Sequence, residues 1–564
     1  MLINNIVKTI LLFLCTFIFL TVSYTQEISL SHRGGYYSGP FDLRIGCRDC
    51  DEIYYTVNGK EPDSLSDKYL KPLRICNELV SGNKTACIPT TAIPNKNFEE
   101  KYFSWQEPVK YPKAVIISIR TYKNGVPAGD IVHETFFIDA PDFKLPVISI
   151  ITDPNGLFDE DTGIYVPGKR CDKNNSIWTG NYHMRGLSWE KKAFLQLFVN
   201  DSLVLEQKTG IRIHGAKTRS APQKSLRIYS KETYGDNDIN YPLFKNNRLV
   251  KTFILQTPFS SHRSNLISDV VAQEMSCPLN LETVDYNPCV VFINGEYWGL
   301  HFIRERTDNN YINSHFGINP DSVLIHDNAR EEFNKTVEYI EKLNVTNDED
   351  YGNIRKRIDI PCFIDYVISE TYFRNLDWLG NNEGYWKSSD NGMWRFVLFD
   401  LDAGYQRYNK DMFAYIEENK DSPVSRLFRV LIKNSEFKRD FINRYAYIVN
   451  NCFTPRRSFE VINTISKSID SEIRRQKNRW GIPLSKYRWR KSVGDMKKFA
   501  NLRAGYVDIH LKKYLGVEHT NIITTGRKVY FNINHIIIIF TVLSVISFML
   551  IVLYLLRHKK LKSP

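Results

Sequence analysis

The chain has no block of Lys and Arg with interleaved aromatics. Its net charge of +12 is scattered over 564 residues, part of it in the last few positions. Nucleic-acid binding is therefore not expected. One Cys-x-x-Cys occurs, Cys47/Cys50, and no second pair of matching spacing accompanies it. A structural zinc site wants four ligands, so zinc is not the reading. Nor does the chain have the charge-rich, aromatic-poor composition of disorder: 43% of residues are hydrophobic and 13% aromatic. That supplies real cores, and the length predicts several domains.

Two apolar runs stand at its ends. Residues 1–25 have Lys8, then a mostly apolar stretch from Ile10 to Val22, then Ser23 and Thr25, the order of a secretory signal. Residues 536–556 carry no charge and are followed by Arg557, His558, Lys559, Lys560 and Lys562. Such a run is long enough to cross about 30 Å of hydrocarbon, with the basic tail 557–564 on the cytoplasmic side. The expected localisation is a single-pass cell-membrane protein with its bulk extracellular. Cysteine usage fits that compartment. Cys47, Cys50, Cys76 and Cys87 cluster early, and disulfides are expected there without a choice of pairing. Nine cysteines remain beyond the signal, so at least one is unpaired or bonded to another chain.

Alternating, β-rich segments such as Ile53-Tyr54-Tyr55-Thr56-Val57 and residues 114–122 end at the turns Asn58-Gly59 and Asn124-Gly125. They predict an all-β module over 26–140. YYTVNGKEPDSLSDKYLKPLRI resembles the β-sandwich that follows the catalytic domain of chitobiase-type hexosaminidases. That resemblance implies an accessory or spacer domain.

Chemistry concentrates in residues 371–407, TYFRNLDWLGNNEGYWKSSDNGMWRFVLFDLDAGYQR. Asp377 opens a polar loop behind an expected helix over 364–373. Asn382 follows five positions later. Asp400 ends an apolar run, and on a strand it would share a face with Asp402. Phosphoryl transfer needs these types: one carboxylate to orient a hydroxyl, then a carboxylate and an amide oxygen to hold Mg²⁺ against phosphates. Asp and Asn also populate turns for their own reasons.

Upstream, GIRIHGAKTRSAPQKSLRIYSK places a strand, a Ser/Thr-rich loop, and Lys224 opening a second strand. This segment resembles the signature of the CotH family of secreted kinases. LPVISIITDPNGLFDEDTGIY, the hairpin CVVFINGEYWGLHFIRE, the 377–402 stretch and MKKFANLR follow the family in order. The resemblance implies an α+β chain with an atypical protein-kinase-like domain over 145–516, between the β-sandwich and the transmembrane helix at 536–556. It implies transfer of the γ-phosphoryl of ATP, with Mg²⁺ or Mn²⁺, to Ser or Thr of a secreted or surface protein. By position Asp377 is the catalytic Asp, Asp400 and Asn382 are metal ligands (Asn381 is the alternative to Asn382), Trp394 packs on the nucleotide, and Lys224 contacts phosphate. His214, Lys217 and Gln223 depart from the family pattern. No helix-borne Glu is assigned to Lys224; Asp269 and Glu274 both stand on the stretch 266–275. A catalytically inactive relative acting as an adhesin or scaffold is the alternative function. Residues 320–360, polar and charged, are expected to be a surface insertion.

Overall fold

Strand Val126–Ile138 ends in three apolar residues, Phe136, Phe137 and Ile138, all buried. Side chains alternate across a strand. Phe136 and Ile138 therefore turn into one core with Leu43, Ile75, Val115, Ile117 and Ile119, and Phe137 faces the other way. Its ring stacks on Tyr36 and meets Phe198 at 5.3 Å and Phe292 at 5.2 Å. An N-terminal sheet apolar on both faces cannot stand clear of its neighbour without exposing one of them. The computed structural model describes residues 28–82, 84–93, 104–108, 110–258, 265–389 and 392–517. Within them the architecture is α+β, β-rich at the N-terminal end and helical at the C-terminal end. The expected signal (1–25), span (536–556) and tail (557–564) lie outside the described residues. Among the described residues no helix is long and apolar enough to cross a membrane.

The N-terminal region holds a five-stranded sheet built around Val115–Lys123 and Val126–Ile138, with two short strand pairs beside it. A disulfide joins Cys47 and Cys50. In place of a spacer, this region is packed hard against the next unit. Ala114 N donates to Gly295 O at 2.7 Å. Gly295, at φ +78°, has no room for a Cβ there, which would sit 2.4 Å from Ala114 O.

That next unit is a closed seven-stranded barrel. Val147–Ile151 is followed around it by Lys191–Val199, Ser202–His214, Ser225–Tyr229, Thr252–Gln256, Glu296–Glu305 and Tyr286–Ile293. The last strand closes on the first in parallel; the other pairings are antiparallel. Alternate residues such as Ile150, Leu195, Ile211, Leu226, Ile228, Phe253 and Ile303 fill the interior. On the outer face the register sets Arg227 beside Ile254 and Ile254 beside Arg304.

The helical lobe is centred on Ile360–Phe373, whose residues are buried almost throughout. Asp359 caps it by accepting from Cys362 N at 3.0 Å, and Pro361 sits in the first turn, where its missing N–H costs nothing. The helix thus begins four residues before the sequence pattern suggested. Lys486–Leu515, 30 residues long, closes the lobe. The 320–360 segment is not a surface insertion. Val323–Ile325 pairs with Tyr385–Ser388, and Phe333, Val337 and Ile340 of Arg330–Glu341 are fully buried.

Candidate functional site

The central helix ends because Arg374 adopts a left-handed conformation, φ +61°. The chain then loops outward. Asp377 N donates to Asn375 Oδ1 at 3.2 Å, and Asn382 N closes the loop on Asp377 O at 3.1 Å. Asn382 Nδ2 donates to Asp377 Oδ2 at 3.3 Å and to Asp400 O at 3.4 Å. Asn375 Nδ2 reaches the same Asp400 carbonyl at 3.4 Å. Two amides of one loop thus meet the carbonyl of a residue 18 or more positions further along the chain.

Asp400 also holds a left-handed backbone, φ +57°. For a non-glycine residue this costs of order 1 kcal/mol and persists only where neighbours hold it. Here they do. Gln273 Nε2 donates to Leu398 O at 2.8 Å, and Leu401 N donates to Asp269 Oδ1 at 3.0 Å. The strand Arg395–Phe396 ends before Asp400, so Asp400 and Asp402 lie in a turn and share no strand face.

Burial, and then the charges of Asp269 and Asp377, push the Asp400 carboxyl up to about 7; Arg304 and the Asn382 amide act the other way. Glu370, fully buried behind it, is raised well above the carboxylate range by burial. Asp269 is not free to serve as a partner for Lys224, because it is ion-paired with Arg304, both almost fully buried. Glu274 pairs with Lys245 at 2.8 Å. Glu305 ends its strand and accepts from His315 Nε2 at 2.8 Å.

Asp400 lines a cleft of about 540 Å³ between barrel and helical lobe. Arg227, Ile254, Gln256 and Arg304 form its roof, and Asn381, Glu383 and Tyr385 lie opposite. Arg306 and Arg330 add two more cations, and His326 is set edge-on to Phe399, ring centres 4.9 Å apart. Burial pushes the His326 imidazole down to about 4, so it is neutral near pH 7.

Two residues expected here lie elsewhere. Lys224 is fully buried and donates to Thr90 O at 2.8 Å and Ala221 O at 2.5 Å, with its ammonium 4.3 Å from the Tyr182 ring centre. Trp394 is 1% exposed, its ring among Phe333 and Tyr385, and its Nε1 donates to Thr336 Oγ1 at 3.0 Å. It is a core residue. The cation of this hairpin that does reach the cleft is Arg227. Its Nη2 donates to His214 Nδ1 at 2.9 Å, its Nη1 to Tyr229 Oη at 3.1 Å, and its Nε has no hydrogen-bond partner among the described residues. The parity was readable: Leu226 and Ile228 mark the inward face, Lys224 shares it, and Arg227 does not.

Among the described residues no group of three or more His, Cys, Asp and Glu side chains is arranged to hold a metal by itself. The donor set suits a shared ion instead. Mg²⁺ takes one or two carboxylates and completes its shell from phosphate and water. Asp400, crowded by like charge and bridged by Asn382 to Asp377, fits one end of such a site.

These elements define a two-lobed α+β protein with its polar cleft between the lobes. A family model described as CotH kinase protein matches residues 211–507. The chain belongs to the CotH kinase protein family. No curated protein matches it.

Proposed function

We propose that this chain is a membrane-tethered, extracellular protein kinase that transfers the γ-phosphoryl of ATP to Ser or Thr of secreted or surface proteins. The observation that carries the reading is that Asp400 lines a cleft bearing Arg227, Arg304, Arg306 and Arg330, while the Asn382 amide ties its backbone carbonyl to the Asp377 carboxylate just behind. In this reading Arg227 and its neighbours bind and orient the phosphates, since guanidinium groups match phosphate oxygens in pairs. Asp400 and Asn382 would hold a divalent ion, whose positive charge would offset that of the phosphates. Asp377 takes a hydrogen bond from the acceptor hydroxyl and aims it. Positioning and charge stabilisation are most of what this reaction requires. Membrane attachment rests on the uncharged run 536–556 and the basic tail after it.

The test is full-length protein incubated with γ-labelled ATP and Mg²⁺ or Mn²⁺, with casein or the protein itself as acceptor. Label in the unmodified protein and none in Asp377→Asn supports the reading. Absence of both label and nucleotide-dependent stabilisation overturns it. The placement of Lys224 away from the cleft favours a second reading, a relative that binds nucleotide without transferring phosphate; stabilisation by ATP with no label is its signature.

A further inference from the structure

The family signature runs as a loop, residues 215–222, between two barrel strands. One end of it opens the cleft: His214 and Ala216 line it, and Arg227 follows on the next strand. The other end is gripped by the N-terminal β region. Lys224 Nζ donates to Thr90 O, and Thr90 Oγ1 donates back to Pro222 O at 2.8 Å. Both contacts are buried. Among the described residues no carboxylate pairs with Lys224; a buried amine is costly unless its donors are used, and Thr90 O is one of two carbonyls that use them. The Tyr182 ring covers the ammonium.

The segment around Thr90 is itself fixed to the barrel. Glu296, 1% exposed, accepts from Thr85 Oγ1, from Ala86 N at 2.5 Å and from Tyr111 Oη at 3.1 Å, and pairs with Lys113 at 3.3 Å. Within the loop, Arg219 Nε donates to Gly215 O at 2.6 Å and Ser220 Oγ to Lys217 O at 2.7 Å. Gly215 stands at φ +109°, where a Cβ would lie 2.4 Å from Thr218 Oγ1. A loop tied this tightly moves as a piece, so what holds its far end sets its near end.

We propose that the N-terminal β region is a built-in positioning element for the cleft: residues 85–93 dock on the barrel, Lys224 and Thr90 latch the signature loop to them, and the loop thereby sets His214 and Arg227 toward the nucleotide phosphates. This deepens the kinase reading and rests on it for its kinetic arm only. Lys224 is then a positioning residue that acts through the loop and touches no phosphate.

The experiment uses the full chain carrying Thr90→Val, which deletes one latch bond and keeps size, and Lys224→Met beside it. Amide hydrogen exchange is followed over residues 215–223. The expected result in Thr90→Val is exchange faster by about fivefold, the scale of one lost hydrogen bond, together with an ATP KM raised severalfold at unchanged kcat. A purely structural role would lower the active fraction, and with it kcat, and leave KM alone. Unchanged exchange over 215–223 while residues 85–93 loosen overturns the proposal, and so does a fall in kcat at constant KM. Should Lys224→Met not fold, Thr90→Val decides alone. Should the unmodified protein transfer no phosphate, the kinase reading fails by itself and hydrogen exchange still decides the coupling.

Discussion

Asn382 donates its side-chain amide to Asp377 Oδ2 at 3.3 Å, across a loop of five residues. The same amide reaches Asp400 O. It therefore ties the loop that follows the central helix to the turn that carries Asp400.

Asp377→Asn keeps size and hydrogen bonding and removes the negative charge. Turnover is expected to fall by about 10²-fold or more, the scale of a lost general base, with ATP affinity changed by less than about tenfold. Single-turnover labelling alongside nucleotide titration checks both numbers. Near-normal turnover removes Asp377 from the chemistry; complete loss of nucleotide binding makes it a metal ligand or a structural cap.

Asp400→Ala relieves crowding beside Asp269 and Asp377, so the protein without ligand is expected to melt at the same temperature or higher. Unmodified protein should gain stability from Mg²⁺-ATP, about 2.7 kcal/mol at a hundredfold excess over Kd. The variant, or the unmodified protein with chelator, should gain little. Equal shifts in all three, read by thermal melts, would exclude Asp400 as a ligand.

Arg227→Met tests the cation at the roof of the cleft. ATP KM should rise about tenfold, or roughly 1.4 kcal/mol of lost binding. Thermal stability should change little by comparison. An unaltered KM moves the phosphate contact to Arg304, Arg306 or Arg330.

Trp394→Phe removes the Nε1 bond to Thr336 Oγ1 and leaves an aromatic in place. About 1 kcal/mol of folding stability should go, measured by denaturant unfolding, with ATP KM unchanged. A KM effect without a stability effect would return Trp394 to the nucleotide.

His301 is fully buried, and burial pushes its imidazole from 6.5 down to about 4. Above pH 6.5 neither folded nor unfolded protein protonates it, so it contributes nothing to pH dependence. As pH falls from 6.5 to 4 the unfolded chain takes up a proton that the folded protein refuses, and stability drops by about 3 kcal/mol. In His301→Gln the acid limb of a stability-against-pH curve should flatten in that window. An unchanged limb would mean that another group carries the acid sensitivity.

The sequence by itself determined much of this protein. Period-two apolar runs marked the strands, and Asn124-Gly125 marked the turn between Val115–Lys123 and Val126–Ile138, because pleat and turn chemistry are local. The order Asp377, Asn382, Asp400 pointed to the loop and turn that meet, because each lies beside a recognisable element end. The parity of Leu226 and Ile228 even held the answer for Lys224. What only the tertiary structure decided depends on which surfaces are shared. Phe137 is one apolar residue among many until a barrel covers it, and the N-terminal region is then no spacer. Trp394 reads equally well as a stacking ring or a core ring; a pocket of Phe333, Tyr385 and Thr336, contributed by segments far apart in the chain, made it core. Asp269 gains its meaning from Arg304, 35 residues away in sequence, and burial, then the charges of Asp269 and Asp377, raise the Asp400 carboxyl against the pull of Arg304. Burial and charge act through space, and no local pattern encodes which distant groups will crowd a given carboxylate.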